Sequence, residues 1–71
     1  MERIIINPEV LAGKPVIKGT RISVELILEM LSSGMSIDEI LNEYPHLQRE
    51  DILAALAYAV NVLKHEEVYP V

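Results

Sequence analysis

The sequence predicts a mainly α fold: a three-helix unit of helix-turn-helix type, preceded by a short N-terminal β arm or hairpin. Three observations predict it. The first 22 residues hold short β-branched runs broken by proline and glycine. From Ser23 onward, three helix-start signals follow one another, and each carries a hydrophobic pair at the spacing of a staple. Between the proposed helices stand Gly34 and Pro45, residues that end helices for different reasons.

In the arm, Arg3-Ile4-Ile5-Ile6 suits a strand because β-branched side chains fit a pleated surface. Asn7-Pro8 starts a turn, Ala12-Gly13-Lys14-Pro15 reads as a loop, and Val16-Ile17-Lys18 supplies a second short strand before Gly19-Thr20. A lone hairpin is marginal in water, so the arm has to lean on the helices.

Ser23 is the N-cap of a first helix over about Val24 to Ser33, with Gly34 at the position after its end. Ser36-Ile37-Asp38-Glu39 is a capping box, in which serine and glutamate each satisfy the other's free amide. The second helix stops near Tyr44, because Pro45 disfavours helix at the residue before it. The third opens in Leu47-Gln48-Arg49-Glu50-Asp51 and runs to about Lys64, with Gln48 a poor cap type. The staples pair Ile22 with Ile27, Met35 with Ile40 and Leu47 with Ile52.

Composition narrows the function. A chain of 71 residues has room for one core, and small scaffolds near this length often depend on disulfides, a metal or a partner subunit. Cysteine is absent, and 51% of the residues are hydrophobic, so association is the expected reinforcement. The start, Met1-Glu2-Arg3, lacks a signal-peptide pattern and no run approaches the ~20 residues of a membrane span, which points to a cytoplasmic protein. The net charge of −5 is unevenly spread. Residues 1–24 carry Arg3, Lys14, Lys18 and Arg21 against Glu2 and Glu9, a balance of +2. Residues 25–71 carry nine acids against Arg49 and Lys64, a balance of −7. A nucleic acid would meet such a molecule arm first.

The run Asn7-Pro8-Glu9-Val10, then Gly13-Lys14-Pro15-Val16-Ile17-Lys18-Gly19-Thr20-Arg21-Ile22, Gly34-Met35-Ser36 and Tyr44-Pro45 closely resembles the DUF433 family, over roughly Ile5 to Val62. The resemblance implies a homeodomain-like or winged-helix-like fold. Some members look like antitoxins of VapBC-type modules, encoded beside a PIN-like nuclease, so it also implies an antitoxin-like role. Members often have Thr or Ser where Gln48 stands, a departure that weakens the third helix's cap here.

Several groups of residues are candidates for contact. Lys14, Lys18 and Arg21 can form a cationic strip for phosphates or a partner's carboxylates, or they can be solvated arm surface. Arg21 can alternatively bridge the arm to Glu25. Gly13 to Thr20 departs from a phosphate-binding loop, since five residues separate the glycines and no lysine follows Gly19. In the third helix, eleven of the twelve residues Ile52 to Leu63 are apolar. One stripe, Ile52, Leu56, Ala59 and Leu63, suffices to pack on the other helices. That leaves Leu53, Ala57 and Val60 for a second chain, with Tyr58 and Tyr69 as interface anchors. A homodimer through this helix is expected. Gln48 and Arg49 are the side chains placed to read bases, Gln for adenine and Arg for guanine, but Glu50 and Asp51 beside them repel phosphates.

No catalytic constellation, cofactor motif or metal spacing stands out. His46 and His65 flank the third helix without a second ligand, and Glu25 with Glu29 and Glu39 with Glu43 read as solvated helix faces. The expectation is a non-enzymatic binding protein, antitoxin-like, that engages a PIN-type nuclease and its own promoter DNA. The alternatives are a stand-alone DNA-binding regulator and an assembly module. A basic exposed face would favour DNA, and an exposed apolar groove a protein partner. Residues Glu66 to Val71 read as a frayed tail or a docking peptide.

Overall fold

The computed structural model describes residues 2–65. The expected tail and Tyr69 lie outside the described residues. The fold is mainly α with a small sheet: β1 (Ile4–Ile6), β2 (Pro15–Ile17), α1 (Val24–Ser32), α2 (Ile37–Glu43) and α3 (Arg49–His65). The strands are antiparallel, with Ile4 opposite Ile17, Ile5 opposite Val16 and Ile6 opposite Pro15. A further bridge joins Val16 to Ser23, so the sheet is tied to the residue that caps α1. The hairpin does lean on the helices: Val16 and Ile17 are buried, and Ile4 packs on the core.

The segment between the strands, read as a turn at Asn7-Pro8 and a loop at Ala12 to Pro15, is closely constrained. Asn7 opens it with an Asx turn, its Oδ1 accepting from the Glu9 amide at 2.9 Å. A single 3₁₀ turn at Leu11–Gly13 follows, with the Gly13 amide donating to the Val10 carbonyl at 3.1 Å and Lys14 to Leu11 at 3.1 Å. Its three residues all have left-handed backbones, φ 49° at Leu11, 55° at Ala12 and 83° at Gly13. Only glycine adopts that region without a penalty, so Leu11 and Ala12 are strained.

The helix ends follow the local chemistry. The Ser23 hydroxyl accepts from the Leu26 amide at 2.9 Å, which caps α1. At its other end Gly34 has φ 102°, and the Met35 amide reaches back to the Met30 carbonyl at 3.1 Å, closing a Schellman turn. In α2 both halves of the capping box are formed, Glu39 N–H to Ser36 Oγ at 3.1 Å and Ser36 N–H to Glu39 Oε1 at 3.0 Å. Tyr44 leaves the helix at φ −125°, ψ 76° ahead of Pro45.

The core is Val16, Ile17, Ile22, Val24, Ile27, Ile40, Leu47, Ile52 and Ala55. Every staple residue is in it except Met35, which is half-buried against it. The inward stripe of α3 differs from the expected one. Ile52 and Asp51 are buried, with Ala55 next in line, then half-buried Tyr58 and Ala59. Leu56 and Leu63, expected inside, are 37% and 63% exposed. Length explains the difference. At about 1.5 Å per residue, α3 spans roughly 25 Å and α1 roughly 14 Å, so the last turns of α3 outrun what α1 and α2 cover.

Candidate interaction surface

Two places on the surface gather the candidate contact residues: the turn that follows β2 and the long helix α3. At the turn, Gly19 has φ 80° and opens the reversal that a side chain would strain. The turn is pinned by a closed set of bonds. Thr20 donates to the Ile17 carbonyl through its amide at 3.0 Å and its hydroxyl at 2.8 Å, and that hydroxyl accepts from the Ile22 amide at 3.0 Å. The Ile17 amide donates to the Ile22 carbonyl at 2.9 Å, and the Lys18 amide to Arg3 at 2.7 Å. Lys18 and Arg21 project from this rigid loop, both exposed and neither in an ion pair among the described residues.

Lys14 does not join them as a free strip. Its Nζ lies 3.0 Å from Glu25 Oε1, an acid that the alternative reading offered to Arg21. The hydrogen bond to Glu25, and then that carboxylate's charge, raise the Lys14 ammonium above its ordinary value. Both side chains are about 60% exposed, so water screens the pair and it contributes little.

The start of α3 holds a network the sequence reading did not foresee. Arg3 Nη1 sits 2.8 Å from Asp51 Oδ1 and 3.3 Å from Gln48 Oε1. The other oxygen of Asp51 accepts the Gln48 amide at 2.8 Å. Asp51 thus performs the returning half of a capping box, which is how α3 starts without a good cap residue. Its side chain is only 11% exposed, and the expected phosphate-repelling acid is instead a neutralised part of the fold. Arg49 lies 3.5 Å from Asp38 Oδ1 on α2. Gln48 and Arg49 are both exposed, yet both are engaged within the chain.

Further along α3, Leu53 and Val60 are 50% and 49% exposed and Ala57 is exposed, as expected of an outer face. Tyr58 is half-buried and packs on the core, because its position falls on the inward arc with Ala55. Its ring helps line a shallow hollow beside β1 and one wall of a larger groove. That groove, about 590 Å³, runs between Pro15, α1 and the end of α3, floored by Val24, Leu28, Ala59, Val62 and Leu63 and edged by Glu25 and Glu29. Among the described residues no three His, Cys, Asp or Glu side chains converge as metal ligands would. No helix among them is long and apolar enough to cross a membrane.

Residues 4–59 match the model of a family described as "Protein of unknown function (DUF433)". The chain belongs to the DUF433 family. A crystal structure of a DUF433 member protein from Anabaena variabilis ATCC 29413 superposes with a TM-score of 0.82 at 34% identity, covering 87% of this chain and 61% of that one. The uncharacterized protein y4eO of Sinorhizobium fredii is 36% identical over 53 residues, which are 75% of this chain but 24% of that protein. This chain therefore spans about a quarter of that relative's length.

Three DUF433 motif positions gain a physical reason from the geometry. Gly13 and Gly19 both stand at positive φ, and Thr20 closes the turn through its hydroxyl. Arg3 and Asp51 escaped the sequence reading because 48 positions separate them. The only local hint of their role was an acid three residues after Gln48.

Proposed function

We propose that this DUF433 protein is a non-enzymatic, antitoxin-like binding module that engages a PIN-type nuclease through the turn bearing Lys18 and Arg21. The observation that carries this reading is the distribution of positive charge. Arg3 is held by the shielded Asp51, Lys14 and Arg49 lie beside Glu25 and Asp38 in exposed pairs, and Lys18 and Arg21, exposed and in no ion pair among the described residues, stand on a loop locked by hydrogen bonds. The locked backbone fixes where these two side chains emerge, and a pair of neighbouring cations suits a carboxylate cluster of the kind that holds magnesium in a nuclease. The family resemblance supplies the nuclease as the partner class.

The same distribution weighs against the DNA-reading alternative. With α3 as a recognition helix, Gln48 and Arg49 would have to leave Arg3 and Asp38 to meet bases. The apolar groove has Glu25 and Glu29 on its edge, a poor surface for phosphates and an acceptable one for a protein.

The test uses the double variant Lys18→Ala/Arg21→Ala beside Lys14→Ala, with the product of the neighbouring gene assayed as the nuclease. The expected result is inhibition of RNA cleavage by wild type and Lys14→Ala, and recovered cleavage with the double variant. A gel-shift series in salt addresses the alternative. Tight duplex binding whose slope of log K against log salt falls by roughly 0.9 per removed contact in the double variant would replace the nuclease reading with a DNA-binding one.

A further inference from the structure

Leu53, Leu56, Val60 and Leu63 are 50%, 37%, 49% and 63% exposed, and they recur along α3 at intervals of three, four and three. At about 100° per residue they fall within an arc of roughly 80°. This is the a/d spacing of a coiled-coil seam, two heptads long, on the side of α3 that its own core leaves uncovered. The seam includes Leu56 and Leu63, which the domain itself does not bury.

We propose that this seam docks on the same seam of a second copy of the chain, with the two α3 helices antiparallel and the twofold axis passing beside Ala57. In that register Leu53 lies opposite Leu63 of the second copy, and Leu56 opposite its Val60. Four apolar layers form. The interface is isologous, so it closes at two copies.

Charge selects both the occupant and the direction. Glu50, Ala57 and Lys64 share one flank of the seam, each seven residues from the next, and all three are exposed. In an antiparallel pair this flank faces its own counterpart. Glu50 then meets Lys64 of the second copy, Lys64 meets Glu50, and Ala57 meets Ala57 at the axis, where the small side chains permit close approach. In a parallel pair the same flank meets Pro45, Ile52 and Ala59, and both ion pairs vanish. A parallel pair also brings Arg49 against Arg49, since Arg49 occupies the preceding seam position and is exposed. Parallel helix dipoles add to that repulsion.

The full-length chain provides the test, and its lack of cysteine makes the direction readable. Light scattering and sedimentation at micromolar concentration should give twice the 8.0 kDa chain mass. Glu50→Lys alone or Lys64→Glu alone turns both ion pairs repulsive and should weaken the dimer about tenfold. The exchange Glu50→Lys/Lys64→Glu should restore it. These residues are exposed, so circular dichroism of the variants should match wild type. For direction, Leu53→Cys chains mixed with Leu63→Cys chains should form an interchain disulfide under mild oxidation, and neither variant should do so alone. A monomer at 100 µM, single charge reversals without effect, or self-linking of Leu53→Cys would each overturn the proposal.

Discussion

The two halves of α3 meet different fates, and the half richer in charge is the one the fold buries. Through Ala55 the helix is anchored: Asp51, Ile52 and Ala55 are buried, and Arg3, Gln48 and Asp38 bind its first turn. From Leu56 to His65 no residue is buried, although leucine, valine, alanine and tyrosine continue in most positions. Hydropathy alone does not decide which half is buried, since the uncovered half is the more apolar one. What does is the length of the neighbouring elements, since α1 has nine residues, α2 seven and α3 seventeen. The first half therefore secures the fold, and the second half is apolar surface carried beyond it. That exposed apolar stripe is what the proposed dimer would cover.

The largest expected effect tests that division directly. Ile52 is fully buried, and Ile52→Ala should cost about 2–5 kcal/mol, the range for truncating a buried isoleucine. Leu63→Ala, eleven residues on and 63% exposed, should move the stability of the isolated chain by less than about 0.5 kcal/mol. Urea midpoints measured at the lowest workable concentration, where self-association contributes least, make the comparison. Equal losses at the two positions would break the distinction between an anchored and an uncovered half.

A smaller effect sharpens the account of the anchored half. Removing Arg3 leaves the Asp51 carboxylate, 11% exposed, with the Gln48 amide as its remaining donor. Arg3→Met should cost roughly 1–3 kcal/mol, as expected for a hydrogen bond to a shielded charge. Asp51→Asn should cost a similar amount. In a double-mutant cycle the two losses should not add, because both remove one interaction. Additive losses would mean that Arg3 and Asp51 act separately, and that the strand is not what holds the start of α3.

The sequence disclosed the local part of this structure and little of the rest. Helix starts were legible because a cap, an acid and a staple lie within five residues of each other, as in Met35-Ser36 with Glu39 and Ile40. Which face of α3 turns inward was not, because an almost uniformly apolar helix carries no pattern that separates Leu56 from Ala55. Tertiary neighbours decide it. Nor could the sequence divide the cations into engaged and free ones. Lys14 reaches across 11 positions to Glu25 and Arg3 across 48 to Asp51, pairings that exist only after the hairpin has folded onto the helices. The left-handed turn at Leu11–Gly13 was half legible: glycine announced a reversal, but nothing in Leu11 or Ala12 announced that they would share it.

The smallest expected effects concern how α2 and α3 begin, and they compare a complete cap with an incomplete one. Ser36 and Glu39 satisfy two amides reciprocally, so Ser36→Ala should cost about 1 kcal/mol. At α3 only the returning half exists, from Asp51, and the Gln48 side chain accepts from Arg3 instead of from a helix amide. Gln48→Ala should therefore cost less than Ser36→Ala, and Gln48→Ser, by supplying the missing hydroxyl, should stabilise by roughly 0.5–1 kcal/mol. Acid titration adds an independent check on α2. The Glu39 carboxyl is held below its ordinary value, first by the Ser36 amide and then by the Ser36 hydroxyl. A depressed value in the folded state gives stability that is present above the ordinary carboxylate range and lost as pH falls through the depressed value. Glu39→Gln should remove that step from the acid limb of the stability curve while leaving the neutral-pH ranking of Ser36→Ala and Gln48→Ala unchanged. Chemical denaturation of these variants at neutral and acid pH measures all of this. If Gln48→Ala proves the costlier of the two, the anchoring of α3 runs through Gln48 itself, and Asp51 with Arg3 is the lesser part of it.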